Sequence, residues 1–90
     1  MTMTSAVDRQ FSNNLSRGME VLRSFSAQTP ILTNKQLSDR TKLPKATISR
    51  LTYTLCLMGY LSQTEDGRYQ LGVGVLSLAH PLLASLEHRR

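Results

Sequence analysis

The residues best equipped for chemistry in this chain lie between Asn34 and Tyr53, and what they are equipped for is binding. Five cations, Lys35, Arg40, Lys42, Lys45 and Arg50, stand there against the single carboxylate Asp39. Interleaved with them are the hydroxyls of Thr47, Ser49 and Tyr53. A guanidinium offers a rigid planar fork of donors that matches paired acceptors, whereas an ammonium acts as a point charge. The groups that catalysis would need are missing or isolated. Cys56, the one cysteine, has no base or metal partner in view and reads as a small core residue. His80 and His88 lack the paired spacing of a metal site. There is no Gly-rich phosphate loop, nucleophile elbow or carboxylate dyad. The sequence therefore predicts no enzyme, no cofactor and no metal.

The bulk numbers point the same way. Eleven Lys and Arg against six Asp and Glu give a net charge of +5, which favours a polyanionic partner because cations that neutralise phosphates release condensed counterions. Ninety residues make one small domain. A domain of this size buries only about 60–65% of its unfolded surface, so its core must be efficient or shared with a partner. No apolar run approaches the length of a membrane span. The opening Met1-Thr2-Met3-Thr4-Ser5-Ala6 lacks the basic-then-apolar plan of a signal peptide. With a single unpaired cysteine, these features predict a cytoplasmic location.

The elements that must position the basic cluster follow from periodicity and punctuation. Residues 1–14 are polar and aperiodic, the composition of a flexible arm. Leu15, Met19, Leu22 and Phe25 mark one face of a first helix over about Ser16 to Ala27, ended by Gln28-Thr29-Pro30. Thr33-Asn34-Lys35-Gln36 is a capping box opening a second helix that runs to about Thr41, with Leu37 as its main apolar residue. After the turn Lys42-Leu43-Pro44, a third helix starts near Pro44, where proline's missing donor is harmless. Ile48, Leu51, Leu55 and Met58 form its inward face, and Gly59 is placed to stop it in a left-handed conformation. Its outward face carries Ala46, Ser49, Arg50, Tyr53 and Leu57, and Leu57 is expected to touch another element.

A hairpin follows, with strands Tyr60–Thr64 and Arg68–Leu71 about the turn Glu65-Asp66-Gly67. The last segment, Val73 to Leu86, is an apolar helix that Pro81 should kink or split at His80. Its leucines surround the helix too broadly for one small domain, so it reads as a dimer seam or a link to another domain.

Helix, helix, short turn, helix and hairpin is the plan of a winged helix-turn-helix. The predicted fold is thus mainly α with a small β-hairpin: three helices, a two-stranded wing and a C-terminal linker helix. The major groove of duplex DNA is about 12 Å wide and admits one helix, with N-terminal residues nearest the base edges. Arg50 would then pair with guanine O6 and N7 and Ala46 touch a thymine methyl, while Lys45, Thr47 and Ser49 would meet bases or phosphates. Tyr53 would meet backbone phosphate. The amides at the start of the second helix, near Thr33 and Asn34, offer a dipole-assisted phosphate site, and Lys35 beside them is a further phosphate candidate. Arg68 on the wing and Arg17 are lesser phosphate candidates, and Glu65 and Asp66 argue for a wing that only grazes the backbone. The competing reading is a winged-helix module that binds protein through the same face or the last helix.

The motifs carry a family resemblance. Leu15-Ser16-Arg17-Gly18-Met19-Glu20-Val21-Leu22 resembles the opening helix of the isocitrate lyase regulator (IclR) family. Leu43-Pro44-Lys45-Ala46-Thr47-Ile48-Ser49-Arg50-Leu51 is similar to that family's recognition helix, and Gly59-Tyr60-Leu61 with Gly67-Arg68-Tyr69-Gln70-Leu71-Gly72 to its wing. The likeness covers about Leu15 to Leu86. It implies a bacterial transcription regulator, repressor or activator, that binds double-stranded DNA at a palindromic or pseudo-palindromic operator as a homodimer in the nucleoid. It also implies division into an arm (1–14), a DNA-binding domain (15–72) and a linker or dimerisation helix (73–90). That helix would lead to an effector domain outside this chain, so a small-molecule effector is expected only in a full-length form. Two residues depart from the pattern. Lys42 stands where the family often has glycine, which predicts a non-glycine in a left-handed turn at a cost of roughly 1 kcal/mol. Thr52 replaces a commonly apolar residue, which predicts either looser packing of the recognition helix or a hydroxyl seeking a backbone carbonyl.

Overall fold

The computed structural model describes residues 9–88. Their elements are α1 (Asn13–Arg23), α2 (Asn34–Thr41), α3 (Lys45–Leu57), β1 (Leu61–Gln63), β2 (Tyr69–Leu71) and α4 (Gly74–Glu87). This is a winged helix-turn-helix, as the order of sequence signals implies.

Helix α1 departs from its prediction at both ends. Ser12 caps it by accepting from the Leu15 N–H at 3.3 Å, so Asn13 and Asn14, assigned to the arm, are helical; residues 1–8 of that arm lie outside the described residues. The helix also ends at Arg23, short of Ala27. The cause is local hydroxyl chemistry, which offers the backbone an alternative to the helix. Ser24 Oγ donates to the Glu20 carbonyl at 2.9 Å, and Ser26 and Thr29 exchange backbone bonds of 3.2 and 3.1 Å. The chain therefore turns before Pro30 is reached. The predicted stripe divides: Phe25, just past the helix end, enters the core and Leu22 packs against it, while Leu15 and Met19 stay exposed; Val21, outside the stripe, is buried.

Helix α2 starts with the predicted capping box. The Gln36 N–H donates to Thr33 Oγ1 at 3.1 Å, and the Thr33 N–H donates to Gln36 Oε1 at 2.8 Å. Lys42 is left-handed, with φ 63°, and its N–H closes on the Ser38 carbonyl at 2.9 Å. Ser38 Oγ donates onward to the Leu43 carbonyl, which fixes the turn into α3.

Helix α3 buries Ile48, Thr52 and Leu55. Met58, assigned to the inward face, is exposed. On the other flank of the inward face Thr52 is buried instead, and its hydroxyl donates to the Ile48 carbonyl at 2.8 Å and to that of Ser49 at 3.1 Å. The hydroxyl is thereby satisfied inside its own helix, and its methyl packs as an apolar group would. Gly59, at φ 84°, ends the helix: its N–H donates to the Cys56 carbonyl at 3.1 Å, and the Tyr60 N–H to that of Leu55 at 2.9 Å. This double closure needs a left-handed residue, which glycine supplies without steric cost.

The hairpin pairs Leu61 with Leu71, Ser62 with Gln70 and Gln63 with Tyr69 in antiparallel register. Its strands are shorter than predicted, and Gly67 turns the chain at φ 87°. A contact absent from the sequence reading anchors it. Leu32 and Tyr69 exchange N–H to carbonyl bonds of 3.0 and 2.8 Å, a one-residue third strand that ties the wing to the loop before α2. Beneath this sheet and the first three helices sits the core: Val21, Phe25, Leu32, Leu37, Ile48, Leu55 and Leu61. Each fully buried aliphatic contributes about 1.5–3 kcal/mol.

Helix α4 is one helix with Pro81 inside it, not two pieces meeting at His80. None of its residues is buried. It joins the domain through glycines: the Gly74 N–H donates to the Gly59 carbonyl at 2.9 Å, and the Gly72 N–H to that of Tyr60 at 2.9 Å. A Cβ at Gly74 would stand 2.6 Å from the Gly59 oxygen, so the approach requires glycine. No helix among the described residues is long and apolar enough to cross a membrane.

Candidate nucleic-acid interface

The helix pair presents one open surface. Because Ile48, Thr52 and Leu55 hold α3 against the core, the helical period turns Ala46, Ser49, Arg50 and Tyr53 outward, and all four are exposed. Lys45 is exposed at the first helical position, and Thr47 is half-buried at the edge of the face. Leu57, expected to touch another element, is 72% exposed.

Arg50 decides what this surface can do. Its rivals for an internal ion pair, Asp39 and Glu20, are engaged elsewhere: Asp39 Oδ2 with Lys35 Nζ at 3.2 Å, and Glu20 Oε2 with Arg23 Nη1 at 3.7 Å. Among the described residues Arg50 enters no salt bridge. Its donors therefore stand free on an outward helix face. Lys35, by contrast, is shared with Asp39, an exposed pair worth about 0–1 kcal/mol that a phosphate can displace. Arg40 is committed further, since its Nη1 donates to the Ser24 carbonyl at 3.2 Å and caps the end of α1.

At the start of α2, Thr33 has spent its N–H and its acceptor oxygen in the capping box. The unpaired amides are those of Asn34 and Lys35, the first two residues of the helix. Asn34 also reaches α3, its Nδ2 donating to Ser49 Oγ at 3.1 Å. Sequence reasoning missed this link, which no local pattern announces.

The wing differs in charge. Arg68 Nε donates to Asp66 Oδ2 at 3.0 Å and Oδ1 at 3.2 Å. The Thr64 hydroxyl also donates to Asp66 Oδ1. These bonds, first that of Thr64 and then that of Arg68, hold the Asp66 carboxyl below the usual carboxylate range.

A second feature escaped the sequence reading. Between α1, α3 and α4 lies an apolar groove of about 560 Å³, lined by Leu15, Met19, Leu22, Met58 and Leu78, with Arg50 at its rim. The leucine and methionine spacing in α1 marked this stripe as one face of a helix, without showing that it lines a groove. Cys56 is half-buried, and burial pushes its thiol up. Among the described residues no group of three or more His, Cys, Asp or Glu is arranged to hold a metal.

The chain is similar to known proteins. The Pca regulon regulatory protein of Pseudomonas putida is 40% identical over 79 residues, covering 87% of this chain and 26% of that protein. The HTH-type transcriptional regulator TsaQ1/TsaQ2 of Comamonas testosteroni is 45% identical over 67 residues, 73% of this chain and 24% of its own length. The chain thus spans about a quarter of these curated relatives. A crystal structure of an IclR family transcriptional regulator from Brucella abortus superposes with a TM-score of 0.82 at 43% identity, over 92% of this chain and 35% of that one. The family model of the IclR helix-turn-helix domain matches residues 14–65, from the start of α1 through β1 into the turn of the wing, and the chain belongs to that family.

Proposed function

We propose that this chain is the operator-reading part of a bacterial transcription regulator, and that it binds duplex DNA with α3 in the major groove. The observation that carries the reading is Arg50, exposed on the outward face of α3 with no carboxylate partner among the described residues. In the groove its fork pairs with guanine O6 and N7. Lys45, Ala46, Thr47 and Ser49 flank it, with Ala46 suited to a thymine methyl and the hydroxyls to base edges or phosphates. Tyr53, one turn deeper, and Lys35 meet the backbone. At Thr33 the phosphate site belongs to the amides that follow it, with the capping threonine holding the helix end in place. Arg68, on the wing, stands outside this set, because its guanidinium is held by Asp66.

A palindromic operator requires two copies. Helix α4 supplies a seam, because it has no fully buried residue and leaves Leu76, Leu78, Leu82, Leu83 and Leu86 exposed. In this reading residues 73–90 form the linker and dimerisation helix, with effector binding confined to a longer form of the protein. The exposed apolar surface also suits a winged-helix module that binds another protein, and salt separates the two.

The test is a fluorescence anisotropy titration with duplexes selected from a random pool. Arg50→Ala costs about 1–3 kcal/mol and relaxes preference at one base position, while Lys45→Ala weakens all duplexes nearly equally or costs specificity at its own position. Binding that ignores salt and survives both substitutions would transfer the surface to a protein partner.

A further inference from the structure

The tip of the wing closes on a single carboxylate. Asp66 accepts from Arg68 Nε through both oxygens, at 3.0 and 3.2 Å, and from the Thr64 hydroxyl. Thr64 Oγ1 in turn accepts the Arg68 N–H at 3.0 Å. The backbone repeats the closure, with the Gly67 N–H on the Thr64 carbonyl at 3.0 Å and the Thr64 N–H on that of Arg68 at 2.7 Å. The charged residues of the hairpin are Glu65, Asp66 and Arg68, so its one cation is outnumbered. Across the molecule, the α2–α3 surface has the opposite balance.

Resting on the groove reading above, we infer that Asp66 is a brake on DNA affinity: it holds the Arg68 guanidinium and keeps the wing tip from gripping a phosphate. A free arginine that meets a phosphate neutralises it and releases close to one counterion. An arginine already paired with a carboxylate brings no net charge to the encounter and releases almost none. The pair is exposed, Arg68 at 46% and Asp66 at 60% of their side chains, so it is weak in itself. Its effect comes from position, since Asp66 and Glu65 stand where the wing would face the backbone. The brake leaves affinity to α3, and with it the dependence of affinity on base sequence.

The experiment compares wild type, Asp66→Asn, Arg68→Ala and the double variant on a duplex selected by the wild-type chain, across several salt concentrations. Asparagine keeps the shape and the acceptor for Thr64 while removing the charge, and matched melting temperatures show that the turn survives. Asp66→Asn is expected to bind about three- to fivefold tighter, the scale of an exposed ion pair. Its plot of log affinity against log salt should steepen by about one. Arg68→Ala alone should change little, and in the Asp66→Asn background it should remove the gain. Weaker binding by Asp66→Asn, matched by an equal loss in Arg68→Ala, would show that Asp66 aims Arg68 at the DNA and overturns the brake. Unchanged binding overturns it as well. If neither wild type nor Asp66→Asn binds any duplex, the groove reading falls and takes the brake with it, whereas a wild type that binds while Asp66→Asn gains nothing sinks the brake alone.

Discussion

Helices α3 and α4 have nearly the same length, 13 and 14 residues, and opposite relations to the rest of the chain. Helix α3 is mixed in composition, yet it sinks Ile48, Thr52 and Leu55 into the core and turns a polar face to solvent. Helix α4 is the greasier of the two and has no fully buried residue. Apolar content therefore does not rank these helices by burial. What separates them is whether the chain supplies a surface to pack against. Residues from α1, α2 and the sheet meet α3 on its inner side, whereas α4 leaves the domain at the Gly59–Gly74 contact. A helix apolar around much of its circumference is one built to be covered.

The contrast can be broken most directly by truncation. Ile48→Ala should lower the unfolding free energy by about 2–5 kcal/mol, whereas Leu82→Ala, at a side chain 62% exposed, should stay within about 0.5 kcal/mol under dilute conditions. Urea denaturation monitored by circular dichroism measures both, and equal losses would mean that α4 is packed after all. The second probe sharpens the proposed seam. Leu78→Glu with Leu82→Glu should raise the dimer dissociation constant at least tenfold, roughly 1.4 kcal/mol, without lowering the midpoint of monomer unfolding. Sedimentation equilibrium reads the first and thermal melting the second. A dimer indifferent to both charges would move the seam elsewhere. The smallest effect lies inside α3. Thr52→Val replaces a hydroxyl that returns to its own helix, so stability should rise by up to about 1 kcal/mol, visible as a small upward shift in Tm. A clear fall would give those two hydrogen bonds a larger role than their geometry indicates.

What the sequence disclosed about these helices was whatever depends on near neighbours. The Thr33–Gln36 cap, the left-handed residues at Lys42 and Gly59 and the Asp66-Gly67 turn are settled within a few residues, and all appear where local chemistry puts them. The outward face of α3 was legible for the same reason, since helical period alone separates Arg50 and Tyr53 from Ile48 and Leu55. The stripe in α1 was legible as one face of a helix, but not which part of it would be buried. Periodicity shows which residues share a face, and only the tertiary arrangement shows that Val21 faces inward while Leu15 and Met19 line a groove. The Leu32–Tyr69 bridge and the Asn34–Ser49 bond join segments far apart in sequence. Neither leaves a local trace. Arg40 shows the remaining limit, because its charge suggested phosphate and its surroundings gave it the end of α1.

The glycine knuckle at the root of α4 makes that helix a lever. At 14 residues and 1.5 Å of rise per residue it is about 21 Å long. Swinging it by 10° about its base carries the far tip nearly 4 Å, roughly, while the Gly59 oxygen hardly moves. Run in reverse, a displacement imposed at the distal end is geared down to a fraction of an ångström at the residue that terminates α3. Two such arms clasped together would hold a pair of reading heads at a set spacing, and would transmit only coarse motions to them.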